Sequence, residues 1–178
     1  NLVVLGIFSG NIQGISGSIF LMIGHGIVSS ALFFLIGVLY DKYGSRIIYY
    51  YGGIVVTMPF FTTFLLVFSF ANIGLPITCN FIGEVVVFIG LVDRNLFVLI
   101  IALTGVILSV LYTMFFCNRL VFGNLNVNYI LTFKDLTFRE FSILTPLLLL
   151  TFLLGIFPDL IFDTILLSVS IIVEQQFF

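Results

Sequence analysis

From Ile47 to Val92 the chain holds a single formally charged side chain, Glu84. Every other residue in that stretch is apolar, small or neutral polar. A carboxylate in hydrocarbon costs several kcal/mol unless it is protonated, paired or wet. Glu84 follows Gly83 and precedes a run of β-branched residues, Val85, Val86 and Val87. A Leu there would carry no such cost. Two readings follow: a group that exchanges a proton inside a membrane, or an assembly residue paired to a cation on a neighbouring helix. No Lys or Arg lies within a predicted span of this chain, so a cationic partner would come from elsewhere.

The rest of the composition agrees. Charged residues make up 8% of the 178 positions and apolar residues 61%, with a mean hydropathy of +1.33. Soluble domains carry about 25% charged residues. A soluble fold of this length could not cover its surface, so the chain reads as an integral membrane bundle of a few helices. There are 23 Phe, no Trp, and Ala only at positions 31, 71 and 102. Phe, Ile, Tyr and Asn have A+T-rich codons, which hints at an A+T-rich genome such as a mitochondrial one. Cys79 and Cys117 fit no C-x-x-C pattern, so neither a disulfide framework nor a zinc site is expected. No basic cluster suggests nucleic acid, and no nucleotide loop, haem motif or redox cysteine set is present.

The expected fold class is all-α and integral to the membrane. It comprises about four transmembrane helices, one of them discontinuous, the end of a preceding helix, and a C-terminal interfacial helix. Leu2–Phe8 reads as the tail of a helix whose beginning lies elsewhere, as in one piece of a longer or split protein. A polar turn, 9–16, follows. The spans are expected at 17–40, 54–92 (broken near 72–76), 96–117 and 141–157. Twenty-four residues of helix rise about 36 Å, enough for the first. Pro76 lacks a backbone donor and pushes Leu75 out of helical geometry, which sets the break. Two separate short spans are the alternative. Residues 160–176 carry Ile161, Ile165, Val169 and Val173 on one stripe, consistent with a helix along the interface.

With one broken span, loops 41–53 and 118–140 share a side. That side holds Lys42, Arg46, Arg119, Lys134 and Arg139, five of the six basic residues, leaving Arg94 opposite. The bias places those loops in the cytoplasm or matrix. Tyr40, Tyr43 and Tyr49–Tyr51 form an aromatic belt at the same edge.

His25, the lone histidine, is near the middle of a span. A neutral imidazole both accepts and donates, which suits a water-linked proton path; a helix-packing histidine is the equal alternative. Ser29 lies one turn beyond it. Asn72 and Asn80 flank the break, where they would satisfy loosened backbone groups or hold water. Thr104, Ser109, Tyr112 and Thr113 read mainly as hydroxyls bonded within or between helices, and Asp159 and Asp163 as solvated caps.

Several runs, in order, carry a resemblance. They are Gly17–Phe33 around His25, Val38–Arg46, Tyr51–Pro59, Ala71–Pro76, Asn80–Glu84, Thr104–Tyr112, Asn118–Asn124, Asp135–Glu140 and Leu154–Pro158. Together they resemble the NADH:ubiquinone oxidoreductase chain 4 family, antiporter-like membrane-arm subunits of respiratory complex I, in its mitochondrial form. The resemblance implies the C-terminal part of a fourteen-span antiporter-like subunit that couples NADH oxidation and ubiquinone reduction to proton pumping. It implies proton transfer at Glu84 and His25, with Glu84 the exit-side group. Ser29, Asn72, Pro76, Asn80 and Tyr112 are the expected supporting polar lining. Related antiporter-like subunits use a Lys at the Glu84 position.

The family's first discontinuous helix and its lysines match nothing in this chain. The resemblance further implies no cofactor in this chain, since NADH, FMN, iron–sulfur clusters and ubiquinone bind elsewhere in the complex. Implied partners are the antiporter-like chains 2 and 5, the N-terminal part of chain 4 if it is split, accessory subunits and membrane phospholipids. The implied location is the mitochondrial inner membrane, with loops 41–53 and 118–140 in the matrix. A structural anchor, or an antiporter subunit of a cation/proton exchanger, are the alternatives.

Overall fold

The computed structural model describes residues 1–123 and 134–176. Asn124 and the middle of the expected 118–140 loop lie outside the described residues. Among the described residues seven α-helices follow in order: α1 (Leu2–Phe8), α2 (Ile12–Tyr43), α3 (Pro59–Ile73), α4 (Cys79–Arg94), α5 (Leu96–Val121), α6 (Phe138–Ile156) and α7 (Asp159–Gln176). Among the described residues no strand interrupts them.

α2 is longer than expected because its ends are capped by residues inside the anticipated loops. The Asn11 side chain accepts from the Gly14 backbone at 3.0 Å, and Gly44 closes the helix in the left-handed conformation at φ 66°. Its 32 residues extend about 48 Å, well past a 30 Å hydrocarbon core. α3 starts late, at Pro59, because proline suits the first helical position, where no backbone donor is needed. Residues 54–56 form only a short 3-10 turn before it. α6 starts early, at Phe138, under a capping box. Thr137 accepts from the Glu140 backbone, and the Glu140 carboxylate accepts from the Thr137 backbone at 2.8 Å.

α2, α5 and α6 are each long and apolar enough to cross a membrane, whereas α3 and α4 are too short singly. Two contacts show that α3 and α4 run on in one direction. The first turn of α3 meets Asp135 near the end of α2, because Asp135 accepts from the Phe60 and Phe61 backbone at 2.9 and 3.0 Å while Lys42 donates to the Asp135 carbonyl at 2.9 Å. At the other extremity the Asn11 side chain donates to the Gly90 carbonyl at 2.8 Å. The pair therefore traverses the length of α2 as one broken span. This geometry gathers Lys42, Arg46, Arg119, Lys134 and Arg139 at one end and leaves Arg94 at the other.

Three helices are tied at the basic end. Lys42 Nζ pairs with Glu140 Oε2 at 3.0 Å, and Tyr43 Oη accepts from the Lys134 backbone. The aromatic belt is only partly realised. Tyr40 and Tyr49 are exposed, with Arg46 stacked 4.6 Å over the Tyr40 ring, but Tyr51 is 3% exposed and packs with Ile54, Met58 and Phe61. Its hydroxyl donates to the Ser45 carbonyl at 2.6 Å, and burial pushes its pKa above the ordinary tyrosine value, so it remains a donor.

α2 and α4 cross at backbone contact. A Cβ on Gly17 would come 2.9 Å from the Val87 nitrogen, and one on Gly83 2.9 Å from the Leu21 Cα. In a membrane such close approach supplies the dispersion contacts that hold helices together. α7 packs on α2 through Phe162, whose ring stacks on Phe20 with centroids 4.9 Å apart. On the predicted α7 stripe Val169 and Val173 are buried, while Asp163 faces outward.

Candidate functional site

The break between α3 and α4 occupies residues 74–78, two positions later than the proline alone suggests. Gly74 ends α3 at φ 84°, a left-handed value that only glycine adopts freely. Ile77 has φ 80°, a strained conformation for a β-branched residue. Thr78, the extended N-cap of α4 at φ −97° and ψ 154°, closes the break, with its hydroxyl and its backbone N–H both donating to the Leu75 carbonyl, at 2.6 and 3.1 Å. Asn72 and Asn80 do not fill this role as expected. Asn80 instead accepts from the Cys79 thiol at 3.9 Å, and no hydrogen bond from either to the break's backbone is found among the described residues. Thr78 was the residue to find, since a hydroxyl two positions after proline is a turn signal.

Glu84 stands on α4 with its carboxylate folded back over the break. A Cβ added to Gly74 would lie 2.8 Å from Oε2. Gly74 thus serves twice: its φ ends α3, and its missing side chain leaves room for the carboxylate. Among the described residues no donor hydrogen-bonds to that carboxylate, and the ion pair present is the distant Lys42–Glu140.

Glu84, His25, Asn72 and Asn80 line one cavity of about 710 Å³. Its wall also includes Asn1 before α1, Leu2 and Leu5 of α1, Leu21 and Met22 of α2, and Val98, Ala102 and Ser109 of α5. The sequence-predicted groups from three different helices therefore converge. Gly24 brings α2 close, since a Cβ there would sit 2.8 Å from Asn80 Oδ1. The chemistry of the lining is one carboxyl, one imidazole, the three amides of Asn1, Asn72 and Asn80, and a serine hydroxyl in a largely apolar wall. Such a set can hold water and pass a proton.

Ser29, Pro76 and Tyr112 do not line this cavity. Ser29 is one turn farther along α2 and bonds weakly to its own helix, at 3.5 Å to the Gly26 carbonyl. Tyr112 continues the α5 stripe past Ser109 and is 63% exposed. Pro76 is exposed in the break. Thr104, Ser109 and Thr113 each donate to a carbonyl of their own helix at 2.7 Å, the backbone role expected of them.

A carboxylate beside a broken helix, facing a cavity shared with the histidine-bearing helix next to it, sits within a bundle of long apolar helices, which defines the chain as an all-α membrane domain. The chain belongs to the NADH:quinone oxidoreductase/Mrp antiporter membrane family, whose model matches residues 1–112. It is 46% identical to NADH-ubiquinone oxidoreductase chain 4 of Marchantia polymorpha over 175 residues, covering 98% of this chain and 35% of that protein. With chain 4 of Chondrus crispus it shares 49% identity over 157 residues, 88% of this chain and 32% of the relative. NADH-quinone oxidoreductase subunit M of Rhodobacter capsulatus is 42% identical over 173 residues, 97% and 34% of the two chains. The fold superposes on a chain of respiratory complex I from Thermus thermophilus with bound NADH at a TM-score of 0.91 and 25% identity, over 97% of this chain and 36% of that one. The chain spans about a third of the length of the curated relatives it matches.

Proposed function

We propose that this chain supplies the exit-side portion of a proton path in respiratory complex I, within an antiporter-like subunit of the chain 4 type. Glu84 takes up and releases the translocated proton, and His25 relays it through water held in the shared cavity by Asn72 and Asn80. The observation that carries this reading is the Glu84 carboxylate, which has no donor among the described residues and stands at a helix break with the histidine on the same cavity. Redox chemistry, with NADH, FMN, iron–sulfur clusters and ubiquinone, belongs to other subunits of the complex. The membrane is the mitochondrial inner membrane, loops 41–53 and 118–140 face the matrix, and α7 lies along the opposite interface. Chains 2 and 5, accessory subunits and the remainder of a chain 4 subunit are the partners. In the assembled complex Glu84→Gln lowers the protons pumped per NADH while leaving assembly intact.

A second reading is supported by the family description, which includes Mrp antiporters. There the same carboxylate would exchange a proton for a cation. Sodium-dependent proton movement without NADH oxidation would favour it over the first.

A further inference from the structure

The last turn of α6 meets the helix break, and nothing in the proton path as proposed uses it. Gly155 lies in backbone contact with Ile77: a Cβ built on Gly155 would collide with the Ile77 carbonyl oxygen and stand 2.7 Å from the Thr78 carbonyl carbon. These are main-chain atoms, so the obstruction cannot be relieved by a side-chain rotation. Leu154, one residue earlier, shares a buried cluster with Ala71, in the last turn of α3, and Cys79, the first residue of α4. One turn of α6 thus touches both half-helices and the strained residue between them.

The connection to the carboxylate is short. Ile77 holds φ 80°, Gly74 holds φ 84°, and the Glu84 carboxylate rests against Gly74. A β-branched residue stays in the left-handed region only where its surroundings impose it. The α6 terminus is the packed surface against that backbone.

We propose that Gly155 and Leu154 are positioning residues for proton transfer. The α6 terminus seats the break, holds Ile77 in its strained conformation, and thereby fixes where the Glu84 carboxylate lies relative to Gly74 and the cavity. This rests on the proton-path reading above. A methyl group at 155 displaces the Ile77 carbonyl and, with it, the break. Glycine at 77 releases the strain and lets the carbonyl move aside, since glycine tolerates either sign of φ.

The test uses the assembled complex in native membranes, with NADH oxidation and proton translocation measured together and normalised to the amount of complex. Gly155→Ala is expected to lower the proton-to-electron ratio by a loss comparable to that of Glu84→Gln. Gly155→Ala with Ile77→Gly is expected to recover at least half of that loss. Gly37→Ala, whose added methyl meets nothing within 4 Å, should leave the ratio unchanged. If Glu84→Gln lowers the ratio but Gly155→Ala changes only the amount of assembled complex, or if the double variant recovers nothing, the positioning role is wrong while the proton path stands. A normal ratio in Glu84→Gln overturns the proton path itself.

Discussion

The Glu84 carboxylate and Gly74 meet across the helix break, close enough that any side chain on Gly74 would press on Oε2. The break and the carboxylate are therefore one construction. The residue that ends α3 also makes the space in which the acid stands.

Gly74→Ala should disturb both functions. The left-handed φ costs a non-glycine residue about 1–2 kcal/mol, and the new methyl displaces the carboxylate. Proton pumping per NADH should fall, and the complex should lose stability in detergent. Equal pumping with normal stability would show that the carboxylate does not depend on this contact.

Asp135 caps α3 from across the chain, since the Met58 side chain at the N-cap makes no capping hydrogen bond and the Asp135 carboxylate takes two of the first-turn donors. Asp135→Ala should destabilise the domain by about 1 kcal/mol, as loss of a cap does. Asp135→Asn keeps one acceptor oxygen and should lose less. Thermal inactivation of the detergent-extracted complex ranks the three forms.

Lys42→Met leaves Glu140 without its counter-ion. The two side chains are 17% and 9% exposed, so the charge is poorly solvated, and the loss should be about 2 kcal/mol. Lys42→Arg should retain most of the stability. Resistance of the α2–α6 junction to limited proteolysis in loop 41–53 gives the readout.

Two glycines of α2 should respond in opposite ways. Gly17→Ala forces a methyl against the Val87 nitrogen and should open the α2–α4 crossing, at about 1–3 kcal/mol. Gly37→Ala enters open space and should be neutral or stabilising by about 0.5–1 kcal/mol, because alanine favours helix. The yield of assembled complex in membranes compares them directly.

Much of this was legible in the residues. The isolation of Glu84 pointed to the carboxylate that lines the cavity, Pro76 marked the break, and the basic residues required α3 and α4 to count as a single span. Those signals are strong because in a membrane the cost of misplacing a charge or an unpaired backbone group is large. What the sequence concealed were the ends. Asn11, Gly44 and the Thr137–Glu140 box are capping signals embedded in stretches that read as loop, whereas Pro59 is a helix-start signal inside an expected span; together they lengthen α2 and shift the starts of α3 and α6. Tyr51 looked like one more belt tyrosine, yet the chain turns it inward. The contact of Gly155 with Ile77 joins residues far apart in the chain, and no local pattern announces it.

The most direct test of the account is the number of protons translocated per electron in native membranes whose complex carries Glu84→Gln, measured against the unaltered chain at equal amounts of assembled complex. A lower ratio with assembly preserved is expected. An unchanged ratio, with NADH oxidation still fully coupled, would contradict it and leave the chain a structural part of the membrane arm.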